Sequence, residues 1–262
     1  MSTILDKILA DKFLEVAERK LSVSISELEN STAFTRVCLS MKQSLRTSPT
    51  GIISEFKRKS PSKGWIHEHA NVEEITSGYC AAGAAGISIL TDFPYFGGTT
   101  QDIITARPHI SCPVLRKDFV IDEYQLYEAK AMGADVILLI AAALSPEKTL
   151  EFAKKAHNLG LEVLLEVHNQ AELMHANEYV DMMGVNNRNL KTFEVNTTIS
   201  FELCGMIPDE FVKVSESGIS STEAVRKLRS AGYRGFLMGE NFMKEPNPAI
   251  SLSGFISKLT EY

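Results

Sequence analysis

Ile53-Ser54-Glu55-Phe56-Lys57-Arg58-Lys59-Ser60-Pro61-Ser62-Lys63-Gly64 is an apolar lead-in that runs straight into an acid, three cations and a turn. Alternate side chains of an extended strand share a face, so Glu55 and Lys57 point together while Phe56 points the opposite way. Setting an acid beside an ammonium at the end of a buried strand costs desolvation energy, which folds tolerate mainly at working sites. Ser60 to Gly64 then has the residues of a loop. The unit is a strand followed by a polar loop, and it recurs along the chain.

Working outward, strands are expected at Ile52–Lys57, Gly86–Thr91, Val114–Lys117, Val136–Ala141, Leu161–Val167, Met182–Asn186, Phe211–Ser215 and Gly235–Gly239. Their spacing averages about 26 residues, room for a strand, a helix and two short loops. Val136-Ile-Leu-Leu-Ile140 is apolar on both faces, the pattern of a parallel sheet covered by helices. Helices are expected from Ser145-Pro146-Glu147 to Gly160, from Asp122 to Gly133, from Ser220 to near Gly232, and from Pro246 to Tyr262. Eight strand–helix units without a Gly-x-Gly-x-x-Gly fingerprint favour a closed α/β barrel of the (β/α)8 kind over a doubly wound sheet. Residues 1–262 are expected to form one such domain. Residues 1–50, with Ile4, Leu5, Ile8 and Leu9 in amphipathic spacing, form an N-terminal helical extension across one end of it.

At 262 residues and 44% hydrophobic content the chain has the size of one barrel. A net charge of −6 argues against a nucleic-acid or anionic-membrane binder, while Lys57, Arg58, Lys59 and Lys63 form a local cationic site fit for a small anionic substrate. Cys38, Cys80, Cys112 and Cys204 form no CxxC pair and read as separate reduced thiols, with no zinc site or disulfide framework. Met1 to Lys20 lacks a signal-peptide core, and the longest apolar run, Val136 to Leu144, is far short of a membrane span. The expected location is the cytoplasm.

In a barrel, function gathers where strands end at the carboxyl face. Alternation sends Lys117 after Leu115 into the mouth, Glu166 after Leu164, Arg188 with Asn186, and Glu216 after Val212 and Val214. One cavity should therefore hold Glu55, Lys57, Lys117, Glu166, Asn186 and Glu216. Taken singly, each could be a rim ion pair worth ~0–1 kcal/mol; six polar residues at matching points on five strands read as a site. Phosphate in barrels sits on the loops after strands seven and eight, here Ser217-Gly218 and Gly239-Glu240, with Lys57 and Arg188 as countercharges. The His67/His69 pair lacks a third ligand and reads as solvated loop. Trp65 is expected to pack under that loop, His168 to share the face of Glu166 without a metal, and Met182-Met183 to fill core.

The opening stretch resembles the first strand and loop of the indole-3-glycerol-phosphate synthase family, a (β/α)8-barrel family of tryptophan biosynthesis. So do Thr91-Asp92 with Phe96-Gly97-Gly98, Leu115-Arg116-Lys117-Asp118-Phe119, Leu165-Glu166-Val167-His168, Val185-Asn186-Asn187-Arg188-Asn189-Leu190, Ser215-Glu216-Ser217-Gly218-Ile219 and Met238-Gly239-Glu240. The matches run in order from about residue 50 to 245. Two departures stand out: Asn189 where many relatives carry Asp, and Glu240 where some have Ser.

The resemblance implies a lyase that closes, decarboxylates and dehydrates 1-(2-carboxyphenylamino)-1-deoxyribulose 5-phosphate, with no metal or organic cofactor. It implies Lys117 as the acid of ring closure, Lys57 and Glu166 as acid and base of dehydration, and Glu55 holding the lysines. Asn186 and Glu216 would position sugar hydroxyls. Substrate contacts would come from Ser60, Phe119, Arg188, Ser217, Gly218, Leu237, Gly239 and Glu240, with Phe93 or Phe96 beside the aryl ring. The expected partner is a small anionic sugar phosphate, with no nucleic acid and no membrane, and the chain a monomer or weak homo-oligomer. The rivals are a sugar-phosphate isomerase of the same barrel type, such as phosphoribosylanthranilate isomerase, and a non-catalytic phospholigand-binding barrel.

Overall fold

The computed structural model describes residues 3–189 and 194–261. Eight parallel strands close into a ring: β1 (Ile52–Phe56), β2 (Gly86–Leu90), β3 (Val114–Lys117), β4 (Val136–Ile140), β5 (Glu162–Val167), β6 (Met182–Asn186), β7 (Val212–Glu216) and β8 (Gly235–Met238). Each pairs with its chain neighbours, and β1 closes on β8 with Ile53 opposite Leu237. The (β/α)8 barrel forms with every strand end within one residue of its expected place.

Period-2 alternation sorts the strand residues into two layers. Ile53, Leu115, Leu138, Leu164, Met182 and Val214 fill the barrel axis. Ile52, Ile89, Ile137, Leu165, Met183 and Phe236 face outward under the helices. Met182 and Met183 thus fill core on opposite faces.

Three helices precede β1: α1 (Ile4–Ser22), α2 (Ile25–Glu29) and α3 (Met41–Thr47). The outer ring contains α4 (Val72–Ala81), α5 (Phe93–Phe96), α6 (Thr100–Ala106), α7 (Tyr124–Met132), α8 (Pro146–Asn158), α9 (Thr198–Cys204), α10 (Thr222–Ala231), α11 (Glu240–Met243) and α12 (Pro248–Thr260). Ser145 caps α8 through the Lys148 N–H, with Pro146 in the first turn, and α7 ends at a left-handed Gly133, as expected. Between β5 and β6 the crossover is only a 3₁₀ segment, Gln170–His175, so the helical alternation is interrupted there. Tyr262, expected to end the last helix, lies outside the described residues. No helix among the described residues is long and apolar enough to cross a membrane.

The extension does not lie across one end, as expected; it reaches both. Met41 and Leu45 of α3 plug the amino end of the barrel beside Ile53 and Val212. At the opposite end α1 inserts Lys12, 1% exposed, between two carboxylates that follow strands: Nζ lies 2.9 Å from Asp92 and 3.0 Å from Asp118. Asp118 also takes Arg116, fully buried behind β3, at 2.9 Å. Burial acts to lower the Lys12 ammonium, but Asp118, Asp92 and Glu15 outweigh it and hold it protonated. Removing one partner of a buried pair strands the other's charge. Lys12→Met is therefore expected to cost about 3–5 kcal/mol of unfolding free energy in urea titrations. A loss below 1 kcal/mol would show that Arg116 alone satisfies Asp118.

The cysteine expectation needs correcting. Cys80 and Cys112 are paired as a disulfide, Cα–Cα 6.2 Å, with Cys38 and Cys204 outside it. The end of α4 and the segment entering β3 are neighbours in space, a proximity that a separation of 32 residues does not reveal.

Candidate active site

A cavity of 510 Å³ opens at the carboxyl ends of the strands. Glu55, Lys57, Ser60, Lys117, Phe119, Glu166, Asn186, Arg188, Glu216, Ser217, Gly218, Leu237, Gly239 and Glu240 all line it, whereas Arg58 and Lys59 of the expected cationic site do not, being held by Asp102 and the Pro94 carbonyl. The floor is ionic. Lys117 Nζ donates to Glu166 Oε2 at 2.8 Å and to Glu216 Oε2 at 2.7 Å. Lys57 Nζ donates to Glu55 Oε1 at 2.6 Å, and Asn186 Nδ2 to Glu166 Oε1 at 3.1 Å. Asn186 Oδ1 accepts from the Arg188 N–H at 3.0 Å, which fixes the amide's orientation. His168 does share the Glu166 face: Nε2 stands 3.2 Å from Glu166 Oε1, and Nδ1 3.1 Å from Glu172.

Burial and charge compete at each of these groups. Burial disfavours the Lys117 ammonium, yet Glu166, Glu216 and Glu55 together raise its pKa above the ordinary lysine value. Burial would raise Glu166, but Lys117 and then His168 hold it ionised, well below the usual carboxylate range. For His168, burial is outweighed by its bonds to Glu166 and Glu172, which lift it to about 10. Glu216 goes the other way: burial, with repulsion from Glu166 and Glu55, exceeds the pull of Lys117 and pushes it up to about 7.

A carboxyl raised in the folded state stabilises the fold fully below its unfolded value of 4.5, and that contribution is lost as pH rises through 7. Glu216→Gln lacks it. The unfolding free energy of the wild type relative to this variant is expected to fall by about 2–3 kcal/mol between pH 5 and pH 8 in urea titrations. A constant difference would place the proton elsewhere.

Two strand glycines make room for the acids. A Cβ on Gly184 would run into Glu216 Oε1, and one on Gly239 would meet the Glu55 side chain, its Cβ at 2.9 Å. Ser217, with φ of 66°, is the only non-glycine at positive φ among the described residues, followed by Gly218 at 75°. The loop after β7 is thus held in a conformation costing roughly 1–3 kcal/mol, of the kind that clusters at ligand sites.

One wall is apolar. Phe96 and Phe119 stand 6.2 Å apart, with Leu237, Leu138 and Ile140 nearby. Phe93, offered with Phe96 as a ring contact, is 60% exposed and off the cavity, because it opens the short helix on which Phe96 turns inward. Trp65 is 45% exposed and carries Lys59 over its ring at 5.4 Å, rather than being packed away. Asn189 makes a backbone bond to Glu194, and Leu190 lies outside the described residues.

Several functional positions were not legible in the sequence. Ile4, Leu5 and Ile8 of α1 complete the apolar wall; their spacing marked a buried face but not what it covers. Nothing in the sequence pointed to Gly184 or to Lys12.

Comparison with known proteins agrees with this geometry. The family model described as indole-3-glycerol phosphate synthase matches residues 5–254. A protein of that name from Bacteroides thetaiotaomicron is 53% identical over 99% of this chain and 100% of its own length. Those from Polynucleobacter asymbioticus and Chromobacterium violaceum are each 42% identical, over 97% of this chain and 98% and 97% of their own.

Proposed function

Since the chain belongs to the indole-3-glycerol phosphate synthase family, we propose how its mouth divides the work of that reaction. The enzyme is a carboxy-lyase of tryptophan biosynthesis. It closes the pyrrole ring of 1-(2-carboxyphenylamino)-1-deoxyribulose 5-phosphate and expels carbon dioxide and water, leaving indole-3-glycerol phosphate.

Ring closure needs a proton at the ribulose carbonyl as the aryl carbon attacks it. Lys117 supplies it. The observation that carries this role is its clamp: an ammonium held by two buried carboxylates at 2.8 and 2.7 Å, facing a cavity with one apolar wall. Loss of carbon dioxide returns the electron pair of the broken bond to the ring and restores its aromaticity. Dehydration then requires an acid at the leaving hydroxyl, Lys57, and a base for the remaining ring proton, Glu166.

The two steps are coupled through charge. Burial alone would raise Glu166, and Lys117 is the strongest influence against that. Once Lys117 has given up its proton, burial dominates and Glu166 becomes the stronger base the second step requires. Glu55 holds Lys57, while Asn186 and Glu216 orient the sugar hydroxyls. The aryl ring lies against Phe119, Phe96 and Leu237. The phosphate takes the backbone donors of Ser217, Gly218, Gly239 and Glu240, with Ser60 beside them and Lys57 and Arg188 as countercharges.

A sugar-phosphate isomerase would use the same phosphate loops without needing Lys57 and Lys117 together, and a non-catalytic binder would need neither. We place the enzyme in the cytoplasm, acting as a monomer or weak homo-oligomer on this sugar phosphate and not on nucleic acid. Purified protein given the carboxyphenylamino substrate is expected to develop indole fluorescence; binding without fluorescence would favour the non-catalytic reading.

A further inference from the structure

The cavity rim carries an ion pair that the reaction scheme leaves unused. After β1 the chain forms a small hairpin, Lys59–Ser60 against Gly64–Trp65, with Lys63 in its turn. The hairpin's base is pinned. Arg58 grips both oxygens of Asp102 at 2.8 Å and the Gly97 carbonyl at 3.2 Å, and Lys59 Nζ donates to the Pro94 carbonyl at 2.8 Å. The turn instead reaches across the cavity, where Lys63 Nζ donates to Glu240 Oε1 at 2.7 Å.

Glu240 opens α11, directly after the strand whose end forms half of the proposed phosphate subsite, and it lines the same cavity as Lys57, Arg188, Ser217 and Gly218. A carboxylate therefore occupies a ring of cations and backbone donors suited to an external anion. Burial would raise Glu240, but Lys63, then Lys57 and Arg188, hold it below the usual carboxylate range. The pair is weak: Lys63 is 59% exposed and Glu240 32%, so solvent screens it heavily. A phosphate dianion offers the same lysine more charge and more acceptor oxygens.

We propose that Glu240 is a built-in stand-in for the substrate phosphate, holding Lys63 and the hairpin turn over the phosphate subsite and surrendering the lysine when the phosphate arrives. Glu240 is then a positioning residue that acts through Lys63 and sets how tightly the subsite holds phosphate. Serine at this position would offer Lys63 no charge to exchange. The inference rests on the phosphate subsite proposed above and names what competes for it.

The test is competitive inhibition of turnover by inorganic phosphate in the wild type, Glu240→Gln, Glu240→Ser, Lys63→Gln and the double variant Lys63→Gln/Glu240→Gln. Either Glu240 variant is expected to tighten phosphate inhibition by about fivefold, the low end of site-to-site coupling, and to lower KM for the substrate more than it changes kcat. Lys63→Gln is expected to weaken inhibition by a similar factor. In the Lys63→Gln background, Gln at 240 should give less than half its former gain, because no lysine is left to release. An equal gain with and without Lys63 would mean plain repulsion by Glu240 and overturn the exchange. Unchanged or weaker inhibition in Glu240→Gln, with the wild type inhibited, would overturn the stand-in and leave the subsite intact. Wild type that phosphate does not inhibit competitively would overturn the subsite assignment and the proposal with it.

Discussion

Lys117→Ala is expected to lower kcat by about 10²–10⁴-fold with little change in KM, the range for removal of a general acid, the role proposed for Lys117. The proposed phosphate and aryl contacts lie on other residues, so binding should survive while proton delivery does not. The clamp adds a second consequence. Without the ammonium, Glu166 and Glu216, 2% and 1% exposed, face each other with no cation between them. Two carboxylates so placed do not both stay ionised, and one takes a proton. Glu216, already pushed up to about 7, takes that proton, so the loss in turnover reports proton delivery by residue 117 and not a change at Glu166. Lys117→Met, which keeps most of the volume, separates proton delivery from packing. Steady-state kinetics at a temperature where both variants are folded decides it: retention of half the wild-type kcat removes Lys117 as the acid.

Glu166→Gln is expected to lower kcat by about 10²-fold or more, because an amide cannot accept the ring proton. A rim ion pair would cost ~1 kcal/mol or less in stability and leave turnover near normal. The structure excludes so mild a stability cost. Glu166 is buried and meets Lys117, Asn186 and His168 at 2.8, 3.1 and 3.2 Å, so the variant also loses melting temperature. Melting temperature therefore does not discriminate, and turnover well below both transitions does. Single-turnover experiments should show the cyclised, undehydrated intermediate building up. Normal turnover in a folded Gln variant would take Glu166 out of the catalytic set.

The barrel was legible because its strands obey a local rule. Leu115 predicts Lys117, Leu164 predicts Glu166 and Val214 predicts Glu216, since a two-residue period carries an inward core residue to the mouth whatever the rest of the chain does. What stayed hidden depends on contacts between distant segments. The α1 pattern marked an apolar stripe, but Lys12 sits on that helix as a buried cation whose partners, Asp92 and Asp118, lie 80 and more residues away. The Cys80–Cys112 pairing and the reach of Lys63 to Glu240 are likewise facts of three-dimensional neighbourhood. Phe93 misled for the opposite reason: an aromatic residue next to a site is called inward by composition, whereas a short helix turns its neighbour inward instead.

Gly184 and Gly239 give the molecule a distinctive pattern of mutational failure. Neither carries a side chain that touches substrate, and each lies in or beside a strand whose interior neighbours are well packed. A methyl group at either position intrudes first on Glu216 or Glu55, and at Gly184 it also presses on Leu164 Cδ1 at 3.3 Å. In a library randomised along the whole chain, alanine at these two sites should yield proteins that still express and purify, at the ~1–3 kcal/mol that overpacking costs, and yet score as dead. A screen that selects for solubility would keep them, so engineering of this barrel has to select on turnover from the first round.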